Sequence, residues 1–431
     1  MRNFICWRFW VVFMTLPVIA GGAIQMSLDN EEGVYGKGET ARVTILLSSD
    51  IVETEGWRGE VSWQRSWSGR WEKSDLPAFG EPFELTFAGE EPGLIVVRVL
   101  LEKKGNSEAS HAESIGLLFQ PEEILLSTAE AADFDAFWAE RKAYWRTLPE
   151  EVGLTPVDSA DPEIKIRDVT ITMKGETPVS GYLAYQVNAK EGSLPGILTL
   201  HGAGFRSANA GGVTRLAKEG FLAMDINAHG LPNGKPDSFY VEAGREIGND
   251  FRSRGMQSRE DWYFHGMYLR VVTALDFLAE RSEWNGEDLV LRGSSQGGAQ
   301  VFGGAGLDDR VTVIAASVPA MCDLSGVLAG RRGGWPRPVP ANLEGSEEAR
   351  QVHEVFGYYD SGLFAKRIEA AAIVSLGLVD PTCPADGIQA SINNLQGEVI
   401  PLYRPRMAHA IPHEINLAFD EFIQARVSLP Q

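Results

Sequence analysis

The sequence predicts an α/β domain, a mostly parallel sheet wrapped by helices, preceded by a small immunoglobulin-like β-sandwich. Three observations predict it. From Ile24 to about Gln120 the apolar residues come in short alternating runs separated by turn residues. Beyond Leu154 short apolar strands alternate with helical stretches. Within that second region the run Leu289 to Gly298 passes directly from a strand into a glycine-rich helix start. A chain of 431 residues also exceeds what one core usually organises.

The first 23 residues read as a secretory signal: Arg2 and Arg8, an apolar run from Phe9 to Ile19, then the small residues Ala20 to Ala23. The run is shorter than the roughly 20 apolar residues that span a bilayer. Cleavage would remove two cations and take the net charge from -20 to -22. So acidic a chain, with no basic cluster, is a poor match for nucleic acid or an anionic membrane. Apolar residues at 44% and charged residues at 23% are the balance of a globular protein. Only Cys322 and Cys383 survive cleavage, so at most one disulfide is available and a stapled scaffold is excluded.

Residues 24–120 form the predicted sandwich, with strands at Ala41 to Leu47, Val61 to Trp63 and Leu94 to Leu101. Its tryptophans, Trp57, Trp63, Trp67 and Trp71, are read as core or interdomain packing ahead of a sugar-stacking surface. Residues 121–431 form the second domain. Asp133 precedes a run to Trp145 with apolar residues at helical spacing, which predicts a capped amphipathic helix. Ile164 to Met173 and Gly181 to Val187 read as an opening antiparallel pair. Gly196 to Leu200, Phe221 to Ile226, Val311 to Val318 and Ala371 to Leu376 supply further strands. The proline- and glycine-rich interval 321–363 interrupts the alternation and is expected to be an insertion beside the active-site face, of the kind that forms lids.

The chemistry centres on Gly293-Ser294-Ser295-Gln296-Gly297, a GxSxG elbow between a strand and a helix. Such an elbow holds its serine in a strained turn, where side chains on the neighbouring residues would strike the flanking backbone. Ser295 is therefore the candidate nucleophile, and Ser294 lacks the glycine spacing. This places the domain in the α/β-hydrolase fold, which needs an acid and then a histidine later in the chain. Asp380 follows the strand ending at Leu376 and is preferred to Asp386. His409 lies in the loop after Val399 to Tyr403, whereas His413 begins the last helix, so His409 is the candidate base. The amides of Gln296 and Ala203, the latter in His201-Gly202-Ala203-Gly204, are the candidate oxyanion donors. His229, just after the strand ending at Ile226, is a candidate substrate contact. The seven histidines show no paired metal spacing, and there is no phosphate loop or dinucleotide fingerprint, so neither metal nor cofactor is expected.

The elbow Gly293-Ser294-Ser295-Gln296-Gly297-Gly298, the run Gly377-Leu378-Val379-Asp380 with Cys383-Pro384, and His409 resemble the acetyl xylan esterase and cephalosporin C deacetylase family, carbohydrate esterase family seven. The helix from Asp133 and the segment Pro319 to Asp323 resemble it too, so the likeness runs from about Pro121 to the C-terminus. The resemblance implies metal-free deacetylation of O-acetylated sugars through an acetyl-enzyme, in proteins that are often compact oligomers. Two motifs depart from it: Asn227-Ala228-His229 stands where the family has Arg-Gly-Gln, and Ala203 stands where it commonly has Tyr. The alternatives are a broad carboxylesterase or serine peptidase with the same triad, and a carbohydrate-binding protein with an inactive hydrolase domain.

Overall fold

A computed structural model of the chain describes residues 22–48, 57–67, 69–103, 106–339 and 343–430. The expected signal segment, residues 1–23, lies outside the described residues except for its last two. Among the described residues no helix is long and apolar enough to cross a membrane.

Alternating patterning builds the N-terminal part. In β3 (Thr40–Leu47) every second residue, Ala41, Val43, Ile45 and Leu47, is fully buried, as a strand with one face on a core requires. It lies between β1 (Ile24–Leu28) and β6 (Pro82–Ala88) in a three-stranded sheet. The second sheet has the order β2-β8-β7-β4-β5, with β2 (Val34–Tyr35), β4 (Trp57–Arg65), β5 (Glu72–Ser74), β7 (Gly93–Lys103) and β8 (Asn106–Phe119). Ile45, Val61, Val97 and Leu117, from both sheets, share one core. The chain crosses repeatedly between the two sheets, with β4-β5 and β7-β8 as hairpins within the second, as in an immunoglobulin-type sandwich. Trp57, Trp63, Trp67 and Trp71 are all half-buried. Trp57 and Trp63 pack on the sandwich core, while Trp67 and Trp71 pack against the larger core of the second domain.

The second domain is a nine-stranded sheet ordered β17-β16-β15-β14-β12-β13-β11-β10-β9. Three strands, β9 (Pro149–Val157), β10 (Ile164–Met173) and β11 (Glu176–Gln186), pair antiparallel. From β13 (Leu222–Ile226) through β12 (Leu194–Leu200), β14 (Trp284–Ser294), β15 (Val313–Ser317) and β16 (Ala371–Gly377) to β17 (Val399–Arg404) every pair is parallel. All residues of β13 and β15 are buried, as strands covered on both faces must be. Helices α2 (Ala210–Lys218) and α9 (His413–Gln424) cover one face. The other is covered by α1 (Phe134–Trp145), α4 (Phe264–Ala279), α5 (Gln296–Leu307), α7 (Ser361–Ala365) and α8 (Ala385–Ile392). Two further helices are α3 (Asp237–Ile247) and α6 (Glu347–Phe356).

Helix α1 begins where expected, but Asp133 makes no side-chain cap bond. Its carboxylate instead accepts from Arg259 and from the Tyr358 hydroxyl, a longer-range pull than local capping. The interval 321–363 is packed down rather than loose among its described residues. Val352, Val355, Phe356 and Tyr359 join the large core, and buried Asp360 accepts from Thr128 Oγ1 and the Leu324 amide.

Candidate active site

The parallel register brings the carboxyl ends of the strands to one edge. Ser294 pairs with Ser317, Ser317 with Ser375, and Gly377 with Arg404, so the turns after β14, β16 and β17 leave the sheet side by side. Ser295, Asp380 and His409 lie in or just beyond those three turns.

Ser295 has φ 53° and ψ -120°, in the left-handed half of the backbone map where a non-glycine residue is strained. The residues two before and two after it must be glycine. A Cβ at Gly293 would lie 2.5 Å from the Gly297 carbonyl oxygen, and one at Gly297 would lie 2.0 Å from the Leu200 carbonyl oxygen. The strain is held by three backbone bonds: Ser295 N–H donates to Ser317 O at 2.9 Å, and Ser295 O accepts from Ala320 N–H at 2.9 Å and Ala299 N–H at 3.1 Å.

The three side chains predicted as a set are hydrogen-bonded in sequence. His409 Nε2 lies 2.9 Å from Ser295 Oγ, and His409 Nδ1 lies 2.7 Å from Asp380 Oδ2. Asp380 is fully buried, and its other oxygen accepts from the amides of Thr382 at 2.7 Å and Cys383 at 3.1 Å. A carboxylate so occupied can only accept, so Nδ1 carries the proton and Nε2 turns its lone pair to the serine. Among the competitors, His413 is the exposed first residue of α9. Asp386 is buried in the first turn of α8, where its Oδ1 accepts from the Gly387 amide.

Cys383 also brings its sulfur within 4.8 Å of the Asp380 and His409 ligand atoms. Burial first, and Asp380 second, push its thiol well above the ordinary range, so it stays protonated. The nitrogens of His409 and the oxygens of Asp380 are already engaged in the hydrogen bonds given above. Cys322 and Cys383 are both free and buried.

Gln296 opens α5, so its amide has no acceptor within the helix. The loop after β12 lies against the elbow: a Cβ at Gly202 would be 3.6 Å from Ser295 Cβ. Ala203 is exposed, and its carbonyl accepts from Arg206 Nη2 at 2.7 Å. This loop is tied to the turn after β13. His201 Nε2 accepts from Ala228 N–H at 3.1 Å while Nδ1 donates to Gly202 O at 2.6 Å; burial holds the ring neutral, at about 4. Asn227 donates to Arg206 O and accepts from the amides of His229 and Leu231.

His229 is 3% exposed, bonded through Nδ1 to the Tyr263 hydroxyl at 2.8 Å and stacked on Phe205 at 4.3 Å. Burial, and then Arg270, bring it down to about 3. Arg270 itself is buried and donates to Ala228 O at 2.7 Å. Arg270 and Tyr263 were not singled out in the sequence, where nothing local distinguishes them from helix residues. A cavity of about 1050 Å³ opens beside the elbow between α2, α3 and α9, with His201, Phe205, Arg206, Gly293, Ser294 and Ile411 in its wall.

The acetyl xylan esterase (AXE1) family matches residues 124–419, a span that holds Ser295, Asp380 and His409 and leaves out the sandwich. The acetyl esterase Axe7A of Xylanibacter ruminicola is 30% identical over 299 residues, 68% of this chain and 66% of that protein. This chain therefore spans just under two thirds of that relative's length. An acetyl xylan esterase from Paenibacillus sp. R4 superposes with a TM-score of 0.63 at 25% identity, covering 72% of this chain and 99% of its own. Acetyl xylan esterase 1 from Thermoanaerobacterium sp. JW/SL YS485 shares the fold with a TM-score of 0.59 at 18% identity, covering 72% of this chain and 98% of its own. On this evidence of sequence and fold, the chain belongs to the acetyl xylan esterase (AXE1) family.

Proposed function

We propose that the chain is a secreted serine esterase that removes O-acetyl groups from carbohydrates, with Ser295 as nucleophile, His409 as base and Asp380 as its orienting acid. The observation that carries the reading is the bonded series Ser295 Oγ, His409 Nε2 and Nδ1, Asp380 Oδ2 at 2.9 and 2.7 Å, in a chain of a deacetylating family. In this mechanism Ser295 Oγ attacks the acetyl carbon as its proton passes to His409 Nε2. The oxyanion accepts from the amides of Gln296 and Ala203, at the positive end of α5. Collapse breaks the bond to the sugar oxygen, which leaves with the proton from Nε2. Water then attacks the acetyl-enzyme, giving its proton to His409; acetate departs and Ser295 recovers its proton. Asp380 keeps Nδ1–H in place and stabilises the imidazolium in both halves.

His229, the candidate substrate contact, is walled in by Phe205, Phe251 and Tyr263. Residues 24–120 and 121–431 are assigned as sandwich and catalytic domain, with 321–363 as an insertion. The signal at residues 1–23 directs export, so the exported protein should begin after Ala23 when its N-terminus is read by mass spectrometry.

The test is acetate release from acetylated xylo-oligosaccharides and a chromogenic acetyl ester, native chain beside Ser295→Ala. Loss of the nucleophile should lower kcat by several orders of magnitude in a folded protein. Equal release by the two proteins, or none by a folded native chain, would overturn the reading.

A further inference from the structure

We propose that the N-terminal sandwich is part of the catalytic apparatus, with Gly116 as a positioning residue that holds together the loops bearing Asp380 and His409. The proposal rests on the triad reading above. Both loops leave the sheet at its β17 end, beyond which the large sheet has no further strand among the described residues. They are bonded to each other: Leu378 N–H donates to Arg404 O at 3.0 Å and Val379 N–H to Met407 O at 3.2 Å. Gly377 permits that approach, since a Cβ there would lie 2.3 Å from Met407 O. The pair thus moves as one unit, and the sandwich bears on it from the open side.

The contact is backbone against backbone. Gly116, in β8, donates its N–H to Pro405 O at 2.8 Å, four residues before His409. A Cβ at Gly116 would lie 2.4 Å from both Cβ and O of Leu378, two residues before Asp380. Gly33 backs the same point: a Cβ there would be 2.8 Å from Gly116 O and 3.0 Å from Pro405 Cγ. Around this contact Leu94, Val96 and Leu118 of the sandwich share one core with Leu376, Leu378, Val379 and Cys383. Ser66 O accepts from Arg332 N–H at 3.0 Å.

Loops at a sheet end are the parts that open most easily. A relay of two hydrogen bonds tolerates little of that, because a displacement of about 1 Å can cost on the order of 100-fold in rate. With no side chain at Gly116, the distance between sandwich and loops is set by main chain, which has no rotamers to take up an error. The sandwich therefore acts on turnover through Asp380 and His409, without touching substrate.

The test uses the full chain in four variants: Gly116→Ala, Asp380→Asn, the double variant, and Gly59→Ala. Gly59 is a control of similar strain, its Cβ meeting Leu100 O at 2.1 Å. It pairs with Leu101 whereas Gly116 pairs with Val96, five residues along β7 and so about 17 Å away. Gly116→Ala should lower kcat on the order of 10-fold to 100-fold with KM changed by less than about threefold. In the Asp380→Asn background the same change should cost less than about threefold more, since the geometry it disturbs is already spent. Gly59→Ala should keep the native kcat. If Gly116→Ala does not fold, Gly33→Ala presses on the same contact, on Gly116 O and Pro405 Cγ, and should show the same split at smaller size. Native kcat in a folded Gly116→Ala protein, or an equal fold-loss in both backgrounds, overturns the proposal. An Asp380→Asn enzyme as fast as native instead brings down the triad reading, and this proposal with it.

Discussion

Asp225 is a carboxylate that the fold would hold more comfortably without its charge. It sits in β13, accepts from Thr199 Oγ1 and from the Asn209 amide at 2.8 Å, and burial raises it to about 6 from 3.8. Because the folded value lies above the unfolded one, the folded chain keeps this proton over a range where the unfolded chain has released it. Stability therefore falls as pH rises from about 4 through about 6, and the cost is fully present above that. At about 1.36 kcal/mol per unit the cost is roughly 3 kcal/mol at most. Asn keeps an acceptor for Asn209 and removes the charge. Asp225→Asn should accordingly raise the melting temperature at pH 8 and leave it near native at pH 4, as thermal melts at the two values would show. A lower melting temperature at pH 8 would mean that the ionised form is the stabilised one.

At the scale of elements, the elbow is where local sequence and structure agree most closely. Gly297 lies so near β12 that a methyl group must displace the Leu200 carbonyl or the start of α5, so Gly297→Ala should cost several kcal/mol and most of the activity. Chemical denaturation and acetate release on the same preparation would check both; a native-like midpoint would refute the packing argument. The elbow, the acid turn and the histidine loop were legible because each is a short pattern attached to the end of an apolar strand. Cap chemistry was less so: Asp133 occupies its expected position but gives its carboxylate to Arg259 and Tyr358, more than a hundred residues away. The same holds for the mesh of His201, Asn227 and Arg270 that ties the loop after β12 to the turn after β13, and for Gly116. Their roles come from what lies across the fold, which no spacing along the chain encodes. Trp67 and Trp71 mark the intermediate case, since composition announced packing but not against which core. Trp67→Ala should destabilise by about 3 kcal/mol, read by denaturant midpoint, while leaving KM for acetylated sugars unchanged; a raised KM would restore the sugar-stacking reading.

For the whole molecule, the question is whether two domains predicted from a change of texture behave as two. The sandwich has its own core, with Ile45, Val97 and Leu117 fully buried in it. Yet Leu94, Val96 and Leu118, on the other face of β7 and β8, belong to the core that packs on the nine-stranded sheet. Alternate residues of the same two strands thus serve different cores, so β7 and β8 cannot unfold without opening both. Exposing three leucine- or valine-sized side chains costs about 1.5–3 kcal/mol each, before the loss of Gly116 N–H to Pro405 O and of the Trp67 and Trp71 packing is counted. That coupling is comparable to the whole stability of a typical domain. Calorimetry of the full chain should therefore give one transition, with calorimetric and van't Hoff enthalpies equal. Loss of acetate release should follow the same curve. Two separated transitions, with activity surviving the first, would show that the sandwich melts off and leaves the triad intact, contrary to the shared core and to the positioning role of Gly116.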